Sequence, residues 1–170
     1  HVNTSIRFLD NVIDKTHYSL PQTRAQQMKL RRVGLGVMGL ADTLVMLGLR
    51  YGSPESVRFT EDVFRTMKDV SIAASVGLAQ ERGAAGGWDD SMWQRPYFQE
   101  YDSRKPVSTL PRKHGMRNLF LLTQAPTGTT SALAGVNSGI EPFFALEWTR
   151  VDRTGTHQVR PAVLNGLDLD

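Results

Sequence analysis

Apolar residues recur at intervals of three and four along the first half of the chain. Those from Val2 to Ile13 follow this spacing, which is typical of a helix with one buried face. The spacing predicts a helix over residues 2–15. Two further helices are predicted over about residues 21–30 and 37–47, the second closed by Gly48.

A longer helix is predicted to follow. Ser53 is a good N-terminal cap, Pro54 suits the first turn, and Glu55 places a negative charge near the helix start. Apolar positions continue at helical spacing until Gly83, a residue type that commonly ends helices. The sequence therefore predicts that residues 2–83 are mainly helical, with short joints between the helices.

The second half of the chain has a different pattern. Residues 84–113 are rich in Gly, Pro, Trp and charge, which predicts an irregular surface excursion whose aromatic side chains pack on a neighbouring surface. The apolar run at 119–122 is too short for a globular helix and predicts a buried strand. Residues 143–151 and 157–163 flank a turn that contains Gly155, and they predict a hairpin.

Between the predicted strand and hairpin lies a loop dense in hydroxyl groups, called the hydroxyl loop below. Pro126 ends the strand, and Gly128 lets the backbone approach a ligand closely. The hydroxyls can cap the helix that follows, whose first N–H groups are then available to an anion. The candidate phosphate-binding residues are Ala125, Pro126, Thr127, Gly128, Thr129, Thr130 and Ser131. The alternative is a plain strand-to-helix turn in which the hydroxyls only cap the helix.

Composition narrows the class of protein. The chain has 170 residues, a formal net charge of +3 and no cysteine. Its basic residues form no dense stripe, which argues against nucleic acid as a partner. Apolar runs fall short of the roughly 18 residues that span a membrane. A disulfide framework is excluded, and the cytoplasm is the expected location.

One motif suggests a different class of enzyme. Gly34-x-Gly36-x-x-Gly39 matches the fingerprint of a dinucleotide-binding, NAD(P)-dependent dehydrogenase. That fingerprint follows a buried strand, whereas residues 27–32 are charged and polar. Close packing at small residues is therefore favoured, and we expect this block to lie between helices. The four histidines have no spacing suited to a metal site or a catalytic triad.

Five blocks of sequence give a more specific resemblance. Over residues 2–150 the chain resembles the catalytic subunit of ribonucleotide reductases, and it is most similar to the adenosylcobalamin-dependent class. The blocks are Arg7–Asp14, Val33–Asp42, Arg117-Asn118, the Ala-Pro-Thr-Gly-Thr run at 125–129 and Asn137–Pro142.

The resemblance implies both a fold and a function. The fold would be α/β, a helix-rich part of a ten-stranded α/β barrel that is incomplete on its own. The function would be to hold the phosphates of a ribonucleotide whose 2′-hydroxyl is replaced by hydrogen. Adenosylcobalamin is the implied cofactor, and the implied partners are the remainder of the catalytic subunit and further copies in a homo-oligomer. Asn118 would fix a loop or touch substrate, and Glu141 would pair with a base such as Arg117 or order its loop.

The absence of cysteine bears on this function. The family's chemistry uses a thiyl radical on a cysteine within an Asn-x-Cys-x-Glu motif, and neither the residue nor the motif occurs here. No catalytic residue is therefore assigned to this chain. We expect it to be a piece of a longer or split enzyme, inactive alone. A non-catalytic partner chain that completes the barrel is the alternative.

Overall fold

A computed structural model describes residues 1–98 and 113–165, and it is rich in helices. Its helices include α1 (Val2–Lys15), α2 (Pro21–Leu30), α3 (Leu40–Met46), α4 (Pro54–Arg82) and α5 (Gly128–Ala134). Short 3₁₀ helices span Asp90–Gln94 and Ala162–Leu164, and strands β1 (Trp148–Asp152) and β2 (Gly155–Val159) pair with each other. The predicted helix-rich α/β composition is confirmed.

Two compact units make up the chain. The first comprises His1–Leu35 and Val63–Thr123, and the second comprises Gly36–Asp62 and Gln124–Asp170. Helix α4 begins in the second unit and continues in the first.

The core of the first unit lies where α1 and α4 pack with the segment before the hydroxyl loop. Ile6, Ile72 and Met116 are fully buried there. Helices α1, α2 and α4 have the predicted bounds. The Ser53 hydroxyl accepts the N–H of Ser56 at the start of α4, as its capping role requires.

A network of charged side chains, centred on Asp10 of α1, is buried beside this core. Asp10 has no exposed surface and accepts hydrogen bonds from Arg31 at 2.8 Å and Arg82 at 3.1 Å. The Nε atom of Arg117 lies 3.5 Å from the same carboxylate, and the Asn118 amide donates to it at 3.0 Å. The network therefore joins α1, the end of α2, the end of α4 and the segment that begins at Arg117.

The end of α2 depends on the same network. Arg31 has a left-handed backbone with φ of 45°, a conformation that costs a residue with a side chain about 1–2 kcal/mol. Its guanidinium also makes paired hydrogen bonds of 2.9 Å to Asp14. These hydrogen bonds, and secondarily the charge of Arg31, lower the pKa of the Asp14 carboxyl against an opposing effect of burial. The left-handed turn places Arg31 where both carboxylates can hold it.

The predicted buried strand at 119–122 is only partly formed. Leu35 pairs with Leu122 in a single parallel bridge, in which Leu35 donates to Leu121 and Thr123 donates to Leu35. Leu121 is buried, whereas Phe120 is more than half exposed. Alternate side chains of an extended segment face opposite sides, and in the described residues the core covers one of those sides.

The predicted surface excursion is only partly wrong in its described part, where most residues are exposed or half-buried. Residues 90–94 form a 3₁₀ helix, and Trp93 and Phe98 are buried in the core of the first unit. Their ring centroids lie 4.9 Å apart with the edge of one ring toward the face of the other, and Trp88 packs on Trp93 in the same way. Trp and Phe side chains bury large apolar areas, which favours their place in the core. The rest of the excursion, residues 99–112, lies outside the described residues.

The second unit contains α3, α5 and the hairpin. Helix α3 begins at Leu40, three residues later than predicted, because Gly39 caps it with a φ of 77° that a helix cannot continue. The predicted hairpin is confirmed with shorter strands, paired from Trp148–Val159 to Asp152–Gly155 around a two-residue turn. Among the described residues, no helix is long and apolar enough to cross a membrane.

Candidate functional site

The hydroxyl loop, residues 125–131, turns the chain from an extended segment into α5. The turn is made by Thr127, whose φ of 60° is left-handed, and Gly128 is the first helical residue. Thr127, and not Gly128, therefore supplies the unusual backbone conformation. A Cβ added at Gly128 would meet no protein atom within 4 Å, so this position opens onto free space.

The first N–H groups of α5 are not used within the described part of the chain. The earliest helical bond runs from Ser131 N–H to the Thr127 carbonyl at 2.8 Å, and no side chain caps the helix. The N–H groups of Gly128, Thr129 and Thr130 have no acceptor there. Thr129 and Thr130 are exposed as well. The prediction that hydroxyl groups cap the helix is wrong. The N–H groups of residues 128–130 can therefore donate to an anion.

The Thr127 hydroxyl makes a different contact. It accepts the N–H of Gly139 at 2.8 Å, across to a second loop at residues 137–141 that we call the support loop. Gly139 is buried, and a Cβ there would lie 3.0 Å from the Ala125 carbonyl oxygen. Only glycine allows this close approach, so the hydroxyl loop and the support loop pack directly against each other.

The support loop is itself fixed. Asn137 N–H donates to the carboxylate of buried Asp42 on α3 at 2.7 Å, and the N–H of Gly39 donates to the Asn137 carbonyl at 2.9 Å. The Asn137 side chain donates to the Glu141 carbonyl. Asp42 of α3 and its N-cap Gly39 therefore hold the start of the support loop, and the Asn137 side chain ties that start to the end of the loop.

Gln124 attaches the start of the hydroxyl loop to the Gly34–Gly39 block. Its side-chain amide accepts the N–H of Val37 at 3.2 Å and donates to the Val37 carbonyl at 2.7 Å. The side chain thus imitates a paired strand residue and satisfies both backbone groups of Val37. No pattern in the sequence predicts this role of Gln124.

The two residues predicted to support the site, Asn118 and Glu141, make hydrogen bonds to other parts of the chain. Asn118 is fully buried; its amide donates to Asp10 and to the Arg31 carbonyl, and its own N–H is bound by Ser75. Glu141 orders the support loop through its backbone carbonyl. Its carboxylate is exposed and forms no ion pair with a described residue.

The Gly34–Gly39 block lies between helices, as predicted. Helix α2 and the left-handed Arg31 precede it, and α3 follows, so the strand that a dinucleotide fold needs before the first glycine is absent from this described segment. Gly34 and Gly39 allow close packing, but the residues that they approach lie in non-helical segments. A Cβ at Gly34 would lie 2.5 Å from Thr123, and one at Gly39 would lie 3.2 Å from Val136.

A cavity of about 370 Å³ opens beside the hydroxyl loop within the second unit. Gly128 and Ser131 line it together with Asn137, Trp148 and Arg160. It combines apolar surface with polar and charged groups, which is the usual make-up of a small-molecule site. Within the described ranges, no group of His, Asp or Glu side chains could hold a metal ion.

The residues that hold the support loop were not predicted from the sequence. Asp42 and Asn137 were part of the recognised blocks, but no local pattern shows that their contact joins positions 95 apart. Nor does a threonine at position 127 signal a left-handed backbone, since β-branched residues rarely adopt it. Such contacts become visible only in three dimensions.

Comparisons with known proteins agree with the resemblance. A family model described as the ribonucleotide reductase barrel domain matches residues 1–169. A vitamin B12-dependent ribonucleoside-diphosphate reductase of Mycobacterium tuberculosis is 40% identical over 86% of this chain and 19% of its own length. One from Thermoplasma acidophilum is 39% identical over 98% of this chain and 18% of its own. The ribonucleoside-diphosphate reductase large chain 2 of Saccharomyces cerevisiae is 34% identical over 94% and 19%.

Proposed function

Because this chain belongs to the ribonucleotide reductase barrel-domain family, we propose that it supplies the substrate-phosphate loop of a reductase that converts ribonucleotides into 2′-deoxyribonucleotides. The chain spans about a fifth of the length of the curated relatives it matches. The rest of the catalytic subunit is therefore the proposed partner, in a ten-stranded barrel and a cytoplasmic homo-oligomer. A ribonucleoside diphosphate is the proposed substrate, after the names of those relatives.

The observation that carries the proposal is the set of free donors on the hydroxyl loop. Three consecutive N–H groups, at residues 128–130, lack an acceptor among the described residues, and two threonine hydroxyls are exposed beside them. Convergent N–H groups form an anion-binding concavity. Phosphate oxygens would accept from these donors, and each such charge-assisted bond contributes about 1.5–3 kcal/mol.

The contribution of this loop to the reaction is positional. Holding the phosphates fixes the ribose relative to the groups that replace its 2′-hydroxyl with hydrogen, and orientation of this kind lowers a reaction barrier by several kcal/mol. The reacting cysteine expected from the resemblance is not in this chain. Every residue assigned here therefore binds or orients the substrate.

Adenosylcobalamin is the proposed cofactor of the complete enzyme, because two of the relatives are named vitamin B12-dependent. It would supply the radical that starts the reaction. The described residues contain no cluster of metal-binding side chains, and the ring of His157 is engaged with Thr154. No residue of this part of the chain is assigned to the cofactor.

The test is a substitution of Gly128 by valine in the complete reductase. A Cβ at Gly128 would meet no protein atom within 4 Å, so we expect the fold to tolerate the side chain, and we expect valine to crowd a phosphate bound by the neighbouring N–H groups. Losing two charge-assisted bonds should weaken nucleotide binding by roughly two to four orders of magnitude. Binding is measured by titration calorimetry, with the midpoint of thermal unfolding as the control for folding.

Gly128→Ala is the matched control, because a methyl group fills less of that space, and its effect should be smaller. If the Gly128→Val enzyme binds a ribonucleoside diphosphate with unchanged affinity, the loop is a plain structural turn and the proposed function is wrong.

A further inference from the structure

The hydroxyl groups of the hydroxyl loop fall into two sets. Thr129 and Thr130 are exposed, and neither hydroxyl has a partner in the part of the chain that the structure describes. Thr127 and Ser131 are engaged with the support loop instead. Residues of similar chemistry at neighbouring positions thus have different surroundings.

The Thr127 contact ties the residue before α5 to the support loop. Thr127 is left-handed, and its hydroxyl accepts the Gly139 N–H at 2.8 Å while its carbonyl accepts the Ser131 N–H. One residue thus receives a bond from the support loop and the first bond of the helix. If the contact with Gly139 were lost, nothing local would favour the left-handed backbone of a β-branched residue.

The Ser131 contact lies one helical turn further on. Ser131 is 2% exposed, and its hydroxyl lies 3.1 Å from the hydroxyl of Ser138. The support loop thus holds α5 at two points, through Gly139 and Ser138. Because Asn137 is bound to buried Asp42, the support loop is anchored on α3 and cannot follow α5 freely.

We propose that Thr127 and Ser131 are positioning residues, and that the Thr127–Gly139 and Ser131–Ser138 contacts together orient the free donors at residues 128–130 toward the phosphates. The proposal rests on the proposed function. It reassigns two of the seven candidate phosphate-binding residues and adds Ser138, which belongs to the support loop. Thr129 and Thr130 keep the role of hydroxyl ligands.

The experiment measures KM for a ribonucleoside diphosphate in the complete reductase for four variants. Thr127→Val removes the hydroxyl and keeps the shape, Thr127→Ser keeps the hydroxyl, Ser138→Ala removes the second contact, and the fourth variant combines Thr127→Val with Ser138→Ala. We expect each single removal to raise KM about tenfold, as one lost hydrogen bond would. Thr127→Ser should stay within about threefold of the unmodified enzyme.

The double variant separates positioning from direct contact. If both residues act through one orientation of the loop, the second change adds little and KM stays near the tenfold increase. If Thr127 touches phosphate directly, the two effects multiply to about a hundredfold, and the proposal is overturned. It is also overturned if Ser138→Ala leaves KM unchanged, a result that can be obtained even where Thr127→Val does not fold.

Thr129→Val and Thr130→Val test the proposed function separately. If they raise KM while Thr127→Val and Ser138→Ala do not, the loop binds phosphate but the positioning proposal is wrong. If none of these variants changes KM, the loop is not the phosphate site, and the proposed function fails with it.

Discussion

Two residues other than glycine have a left-handed backbone in the described chain, Arg31 and Thr127. Each such residue stores strain of order 1–3 kcal/mol, and each is held by side-chain contacts made at a distance in sequence. Arg31 is fixed by Asp10 and Asp14, and Thr127 by Gly139. The strain is thus offset by polar contacts that only the folded chain provides.

The buried carboxylate of Asp10 gives a prediction about stability. Asp10→Asn keeps the shape but removes the negative charge that faces Arg31, Arg82 and Arg117. Uncompensated buried charge costs about 3–5 kcal/mol. We expect the free energy of local opening of α1 to fall by that amount in the complete reductase, measured by hydrogen exchange of the α1 amides.

The control is Glu55→Gln, which breaks an exposed pair with Arg58 on α4. Exposed ion pairs contribute about 0–1 kcal/mol to stability, so hydrogen exchange of the α1 amides should change little. Equal effects of the two substitutions would show that burial of the Asp10 network does not matter for stability.

At the scale of elements, α4 offers a matched pair of glycines. Gly77 lies inside the helix and Gly83 ends it with φ of 83°, and a Cβ at either would meet no atom within 4 Å. Gly77→Ala should stabilise the helix by about 0.5–1 kcal/mol, because alanine loses less backbone entropy. Gly83→Ala should destabilise it by about 1 kcal/mol, because a side chain strains the left-handed conformation.

Shifts in the midpoint of thermal unfolding of the reductase would measure both effects. Shifts of the same sign for Gly77→Ala and Gly83→Ala would contradict the explanation, since the two sites differ in backbone conformation and not in space.

Elements with strong local signals were predicted well from the sequence. Helix α4 has a serine cap, an early proline and a terminal glycine, and its predicted bounds match the structure. The segment at 119–122 has no such signals, and its pairing depends on Leu35, 87 residues away. Trp93 was misplaced because Gly and Pro around it indicate a loop but not whether that loop is buried. In the hydroxyl loop, the residue types indicated phosphate binding. Which hydroxyls are exposed and which contact the support loop depends on packing that the sequence does not show.

The whole molecule leads to a prediction about activity. The chain contains no cysteine, so it lacks the residue that the family resemblance assigns to radical chemistry. The purified chain, supplied with a ribonucleoside diphosphate, adenosylcobalamin and a thiol reductant, should form no deoxyribonucleotide. Product is measured by chromatography, with the complete reductase as the positive control, and turnover by the chain alone would contradict the assignment.

The pairing of Gln124 with Val37 has a consequence at the level of the gene. Glutamine and glutamate codons differ by one base at the first position, and the two side chains have nearly the same shape. Glutamate at 124 would still accept from the Val37 N–H, but it would turn an acceptor toward the Val37 carbonyl, where the amide now donates at 2.7 Å. One nucleotide change therefore replaces a hydrogen bond that fixes the start of the hydroxyl loop with repulsion between two acceptor oxygens, with almost no change in volume.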